Sequence, residues 1–361
     1  MAPLLSTILP NSETVRARTA WICGLFHAAG LGRRLLERQR SRGRIPILLY
    51  HSIGEAAETG APASCFMAMG MVVEEERFEA QMDYLFHNTA VVGLDEAAEN
   101  LRGGKPLPGN AVVLTFDDGF RDNVTLAAPI LRRHGFRAAF FPIGSLIRGS
   151  GSPWPHGVYR LLDALQSRPF LIDIPGFPPT SGKFLGVSEK LRLARRLRPF
   201  LESLPARDRD AAIAKLCLAN GLPADTPRCG GLFMTEADLH LLAAEGHIIG
   251  GHSMSHRSLT GLAEAECVDE LRMSGELVGG RRTPHFASFA YPYGRHNDAV
   301  RHLVRHSGFD CAVTTAEGLN GVGDDLFALR RIYVGNFGIA EFETHLSGAA
   351  APLLRLARGC Y

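Results

Sequence analysis

Short apolar runs recur along the middle of the chain, and amphipathic stretches separate them. The first run, Ile45-Pro46-Ile47-Leu48-Leu49-Tyr50, ends on His51. Others occupy 90–94, 112–116, 138–142, 247–251, 288–291, 310–314 and 331–334. Runs this short, bounded by polar or glycine-containing turns, predict buried strands. Between them, 74–87 places Phe78, Met82, Leu85 and Phe86 at helical spacing, and 127–134, 236–245, 263–278 and 299–307 also read as helices. Strand–helix alternation of this kind predicts an α/β fold with a largely parallel sheet, open or closed into a barrel.

The rhythm breaks between about 145 and 232. That segment holds a Gly/Ser/Pro stretch at 149–155, a proline-rich loop at 175–179 and a charged helical run over 188–218. It is expected to be an insertion between two barrel elements, not a separate catalytic unit. The expected organisation is a basic helical arm over 1–44, with 13–42 as its helix, then a barrel over 45–335 with the insertion, and a helical tail over 336–361.

Composition changes this picture little: 46% hydrophobic and 21% charged residues across 361 are an ordinary globular balance. Charge distribution says more. The net charge is +2, yet residues 1–44 carry eight arginines against Glu13 and Glu37. Such an arm either presents a solvated helix face or touches an anionic membrane surface peripherally; beyond it, nothing suggests nucleic-acid binding. Seven cysteines, odd in number and without a Cys-x-x-Cys pair, fit a reducing compartment. No secretory leader or spanning segment is read in the first residues, so a cytoplasmic location is expected, with peripheral contact at the inner membrane face. The oligomeric state is not legible.

Candidate chemistry collects at strand ends. Val112-Val113-Leu114-Thr115-Phe116-Asp117-Asp118-Gly119 sets two adjacent carboxylates at the end of an apolar strand. Burying two like charges side by side is costly unless a cation neutralises one of them. Strand C-terminal ends are also where barrel and open-sheet active sites lie. A solvated Asp-Asp-Gly turn is the plain alternative. Gly250-Gly251-His252-Ser253-Met254-Ser255-His256 closes another strand, and its i, i+4 histidines would face one metal if the stretch were helical. Asp118 with His252 and His256 makes the three-ligand, open-position set of a hydrolytic zinc-type site. In Phe289-Ala290-Tyr291-Pro292-Tyr293-Gly294, Pro292 ends the ladder and lets the next backbone N–H point inward.

Leu49-Tyr50-His51-Ser52, Thr115-Phe116-Asp117-Asp118-Gly119, His252-Ser253-Met254-Ser255-His256 and Ala290-Tyr291-Pro292-Tyr293-Gly294 together resemble the polysaccharide deacetylase family, the NodB-homology or family-four carbohydrate esterases. The resemblance runs over about 45–335. It implies an irregular (β/α)7-type barrel and a divalent metal, most often Zn2+, with Co2+, Ni2+ or Mn2+ as alternatives. Position by position, Asp117 resembles the general base, Asp118 a metal ligand, and His252 and His256 the imidazole ligands. Tyr293 resembles the residue whose backbone N–H holds the oxyanion. His51 resembles the general acid of a permuted subgroup with an N-terminal Tyr-His motif. His345 in Thr344-His345-Leu346 is the other candidate acid.

The resemblance implies metal-assisted hydrolysis of N-acetyl groups on an amino-sugar poly- or oligosaccharide, of chitooligosaccharide or exopolysaccharide type. The chain departs from the family at Ala290, where many members carry an arginine that pairs with the base; Arg331 is the candidate replacement. The family's Asp/Trp motif near the cleft is also missing, and the only tryptophans are Trp21 and Trp154. Alternatives are an O-acetyl esterase, a small-molecule amide deacylase, or a carbohydrate-binding barrel without chemistry. A phosphorelay receiver would need a late lysine, whereas the last lysine is Lys215.

Overall fold

A computed structural model describes residues 13–54, 65–149, 154–165, 168–224, 231–279 and 286–350. Its strands are β1 (Ile47–Tyr50), β2 (Ser52–Ile53), β3 (Val72–Val73), β4 (Ala90–Val91), β5 (Ala111–Asp118), β6 (Ala139–Pro142), β7 (Pro169–Ile172), β8 (Thr180–Lys183), β9 (Ile248–Ile249), β10 (Ser288–Ala290), β11 (Cys311–Glu317) and β12 (Leu329–Tyr333). Seven of them lie in the order β10-β11-β12-β1-β5-β6-β9, with β4 beside β5. Every pairing along this path is parallel.

The ring nearly closes. Beyond β9, the Gly251 N–H donates to the Ser288 carbonyl and the Ala290 N–H to the Gly251 carbonyl, both at 2.8 Å. A Cβ on Gly251 would stand 2.6 Å from Ser274 Oγ of the helix Glu264–Gly279 and 3.1 Å from the Phe289 ring, so the packing over this seam leaves no room for a side chain there. The expected parallel α/β barrel is therefore what forms.

Strand alternation sorts the core. Ile47, Val113, Phe141, Ile248, Ala290, Val313 and Leu329 share one buried cluster, which the strand parity places inside the ring. Leu48, Tyr50, Leu114, Phe116, Phe140 and Ile332 join Phe78, Met82 and Leu85 of the helix Glu75–Asn88 in the layer outside it. Both strand faces are thus covered, and these strands read as continuous apolar runs instead of alternating ones. Continuing the interior parity along β5 leads from Val113 through Thr115 to Asp117; along β12 it leads from Leu329 to Arg331.

The insertion builds its own core. Helix Trp154–Leu165, the antiparallel hairpin β7–β8 and helices Val187–Ser203 and Ala206–Ala219 surround Leu161, Leu162, Ile172, Leu197 and Leu216. The expected single helical run over 188–218 is two helices, divided at Pro205. The same cluster takes in Phe66, Phe120 and Phe233, so the insertion is seated beside the turn that follows β5.

The arm, expected as one helix, is also two, Glu13–Ala28 and Leu31–Ser41, because Gly30 adopts a left-handed φ of 66°. It rests on the helix Ile339–Leu346: His27 Nδ1 is 2.9 Å from Glu343, which also accepts the Tyr84 hydroxyl at 2.9 Å. Residues 1–12 of the arm and 351–361 of the tail lie outside the described residues. Among the described residues no helix is long and apolar enough to cross a membrane. Among the described residues Cys23, Cys65, Cys217, Cys267 and Cys311 are buried; Cys229 and Cys360 lie outside the described residues.

Candidate active site

Asp117 is the last interior position of β5, and Arg331 grips it. The guanidinium donates from Nη1 to Oδ1 at 2.8 Å and from Nη2 to Oδ2 at 2.6 Å. A further Nη1 bond reaches Thr115 Oγ1 at 3.1 Å, and Nε donates to the Thr314 carbonyl at 2.7 Å. Arg331 is 1% exposed and Asp117 3%, so this is a buried, bidentate, charge-assisted pair. Burial pushes the Asp117 carboxyl up. The Arg331 charge, His252, the Arg331 hydrogen bonds and His51 together outweigh it, leaving the group below the usual carboxylate range. Arg331, the candidate partner for Asp117 in the absence of an arginine at position 290, thus reaches it across the barrel from β12.

Asp118, the next residue, turns the opposite way. Its Oδ1 lies 3.4 Å from His252 Nε2 and 3.4 Å from His256 Nε2. These three donor atoms stand within 4.8 Å of one another, and all three residues are buried. Ligands held about 2.0–2.1 Å from a tetrahedral ion stand roughly 3.3–3.4 Å apart, so the spacing fits one divalent cation, and it is long for direct hydrogen bonds. His252 Nδ1 donates to the Ala290 carbonyl at 2.7 Å, which leaves the Nε2 lone pair facing inward, the usual arrangement of a ligating imidazole. Burial pushes His256 down to about 3, keeping it neutral. Burial lowers His252 too, but the nearby carboxylates of Asp118 and Asp117 raise it above its ordinary value.

The two histidines do not meet on a helix. Residues 252–257 form a loop in which Ser253 has φ 57° and His256 φ 54°, and Ser253 Oγ accepts the His256 N–H at 3.0 Å. Among the described residues the non-glycine residues with positive φ are Asp118 (71°), Ser253, His256 and Tyr293 (58°), each within a candidate motif. Strained backbone of this kind persists only where the surroundings hold it, and it clusters at functional sites.

A fourth imidazole, His156, lies against the other oxygen of Asp118, Nε2 to Oδ2 3.0 Å. Burial raises the Asp118 carboxyl, but the charge and bond of His156, then His252 and His256, hold it well below the usual range. His156 has no motif around it, and 38 residues separate it from Asp118. Nothing in linear spacing marks it.

His51 directly follows β1, which pairs with β5, and is half-buried. Burial lowers its imidazole below the ordinary value although Asp118 and Asp117 pull it up. Its ring lies 6.1 Å from that of Tyr333, and its carbonyl accepts from Asn123 at 2.7 Å. Tyr293 follows β10 in a tight turn whose bonds run from Gly294 N–H to the Tyr291 carbonyl (2.8 Å) and from Arg295 N–H to Pro292 (3.2 Å). The Tyr293 N–H stays outside them. Its ring packs 4.6 Å from His256, with Arg198 of the insertion 5.5 Å from the ring centre. His345 instead stacks on Phe337 at 4.4 Å, with Nδ1 4.0 Å from Glu317. Trp154 is buried beneath Arg209 and offers no face for sugar stacking.

The cluster lies at the C-terminal ends of the barrel strands, where active sites of such folds sit. Comparison with known proteins then indicates the class of enzyme. The polysaccharide deacetylase family model matches residues 104–166 and 212–312, which contain Asp117, Asp118, His156, His252, His256 and Tyr293, and this similarity supports a hydrolase acting on carbon–nitrogen bonds. The break at 167–211 falls inside the insertion, while His51 and Arg331 lie outside the matched ranges. YxkH of Bacillus subtilis (strain 168), assigned provisionally to the polysaccharide deacetylases, is 22% identical over 292 residues, 81% of this chain and 71% of YxkH. Over 56 residues the chain is 46% identical to the poly-β-1,6-N-acetyl-D-glucosamine N-deacetylase of Escherichia coli (strain K12), 16% of this chain and 8% of that protein. Among solved structures, Streptococcus pyogenes deacetylase PplD in complex with acetate superposes with a TM-score of 0.53 at 17% identity, covering 81% of this chain and 93% of that one. IcaB from Ammonifex degensii gives 0.51 at 17% identity, covering 85% and 97%. These structural likenesses speak to the fold.

Proposed function

We propose that this protein removes N-acetyl groups from amino-sugar residues of a poly- or oligosaccharide, with one divalent cation, zinc foremost, held by Asp118, His252 and His256. The observation that carries the reading is the division of labour between adjacent aspartates: Asp117 faces a fixed guanidinium, Asp118 two neutral-capable imidazoles. A carboxylate and two imidazoles suit zinc, and also cobalt, nickel and manganese. When bound, such a cation polarises the acetyl carbonyl and lowers the pKa of water beside it. Asp117, kept ionised by Arg331, takes the proton of the attacking water. The Tyr293 N–H donates to the developing oxyanion, a role typically worth about 10²–10³ in rate for one donor. His51, at the end of β1, protonates the departing amine, worth roughly 10²–10⁴. The similarity to an N-deacetylase of poly-β-1,6-N-acetyl-D-glucosamine favours an exopolysaccharide-type substrate.

The test is acetate release from N-acetylglucosamine oligomers of graded length, with zinc or cobalt, with chelator, and with Asp117→Asn. Release that needs metal and disappears in the variant is expected. Near-normal turnover by metal-loaded Asp117→Asn would remove the base from the scheme.

A further inference from the structure

We propose that His156, carried by the insertion, is a positioning residue of the metal site: it ties down the outer oxygen of Asp118 so that the inner oxygen alone faces the cation. The inference rests on reading Asp118, His252 and His256 as cation ligands, not on the identity of the acetylated substrate. The two oxygens of Asp118 have separate partners. Oδ1 faces His252 and His256 at 3.4 Å each, whereas Oδ2 meets His156 Nε2 at 3.0 Å. An ionised carboxylate only accepts, so the Nε2 that reaches it carries the hydrogen, and its lone pair is unavailable to a metal. The cluster of mutually close donor atoms accordingly contains Asp118, His252 and His256 without His156.

The ring is fixed for this task. Phe66 stacks on it at 5.6 Å and 16°, while Phe120 (5.5 Å, 73°) and Phe233 (5.6 Å, 82°) present edges. Its helix, Trp154–Leu165, is anchored in turn. Asp163 accepts the Cys65 N–H at 2.9 Å and pairs with Lys190 at 3.2 Å, which joins the short helix bearing Phe66 to the insertion. His156 is 3% exposed, yet its Nδ1 is buried without a partner. A histidine serving packing alone would carry that desolvation cost for no return; here the Nε2 bond to Asp118 offsets it. Partners of this outer kind orient a ligand and typically change metal affinity about 10–100-fold.

Cobalt affinity of the full chain, measured by competition with a chromophoric chelator, tests this together with the visible absorption of bound cobalt. His156→Ala should weaken affinity about 10–100-fold and alter the bands, because Asp118 is freed to turn both oxygens toward the metal. His156→Gln, whose amide can donate near the Nε2 position, should recover most of the affinity. Urea midpoints of the metal-free variants separate misfolding from a site effect. Unchanged affinity and spectrum in His156→Ala would overturn the proposal. So would a loss as large as that of His252→Ala without rescue by glutamine, which would make His156 a ligand, and so would wild-type protein that binds no cobalt. Normal cobalt behaviour without acetate release would sink the proposed substrate and leave this inference standing.

Discussion

Arg331 and Asp117 illustrate what a single residue does here. The guanidinium spends its donors on Asp117, Thr115 and the Thr314 carbonyl, so the carboxylate is held by a rigid fork and not by a mobile charge. Removing one partner from a buried pair leaves the other charge uncompensated, at a cost of about 3–5 kcal/mol. Arg331→Met should therefore lower stability by that order in urea denaturation. With the strongest pull on the Asp117 carboxyl gone, the acid limb of the activity profile should move to higher pH. Arg331→Lys should recover stability better than rate, since one ammonium cannot reproduce two parallel bonds. Asp117, Asp118, His252, His256, His51 and Tyr293 were legible as candidates because each lies in a compact motif at a strand end. Arg331 was legible only as a candidate for the vacant position 290, because its pairing spans 214 residues of chain. His156 was not legible at all: a lone histidine after a proline carries no pattern, and three-dimensional packing alone brings it to Asp118.

Elements contribute by aiming these residues. The barrel strands were readable from apolar runs, with ends shifted by a residue or two; β5, for instance, runs on to Asp118 because its inner face accepts Thr115 and Asp117. The histidine segment shows where periodicity misleads. An i, i+4 pair suggested a helix, yet left-handed residues at Ser253 and His256 bring both rings to one point through a loop. Just ahead of β9, His247 shows how an element edge is held by a titratable group. Its Nδ1 accepts the Ala138 N–H at 3.2 Å beside β6, and burial, then Arg137 and Arg132, push the imidazole down to about 4. Between pH 6.5 and about 4 the unfolded chain binds a proton at this position that the native state refuses, so stability falls as pH falls through that window. The loss is on the order of 3 kcal/mol at most. His247→Gln keeps an acceptor without the titration, and its urea midpoint should depend less on pH across that interval. Parallel curves for the two proteins would contradict this.

At the scale of the whole molecule, the nearly closed ring, the insertion and the arm divide the work. The ring supplies both aspartates and the imidazole pair, and the insertion overlies one side with Arg198 near Tyr293 and His156 against Asp118. Composition marked the insertion as a break in the strand–helix rhythm, but its contribution to the site was not legible, since contacts between distant segments leave no local trace. The arm's basic character was evident, while its seat on the helix Ile339–Leu346 through Glu343 depends on packing. In the proposed reaction one cation site and its neighbouring base perform the hydrolysis. The most direct measurement is acetate release by metal-free protein as zinc is added in fractions of an equivalent, with bound metal determined in parallel. Activity should rise to a break at one equivalent, and Asp117→Asn should bind the same equivalent yet release almost nothing. Full turnover in chelator, or a break unrelated to occupancy of a single site, would contradict the account.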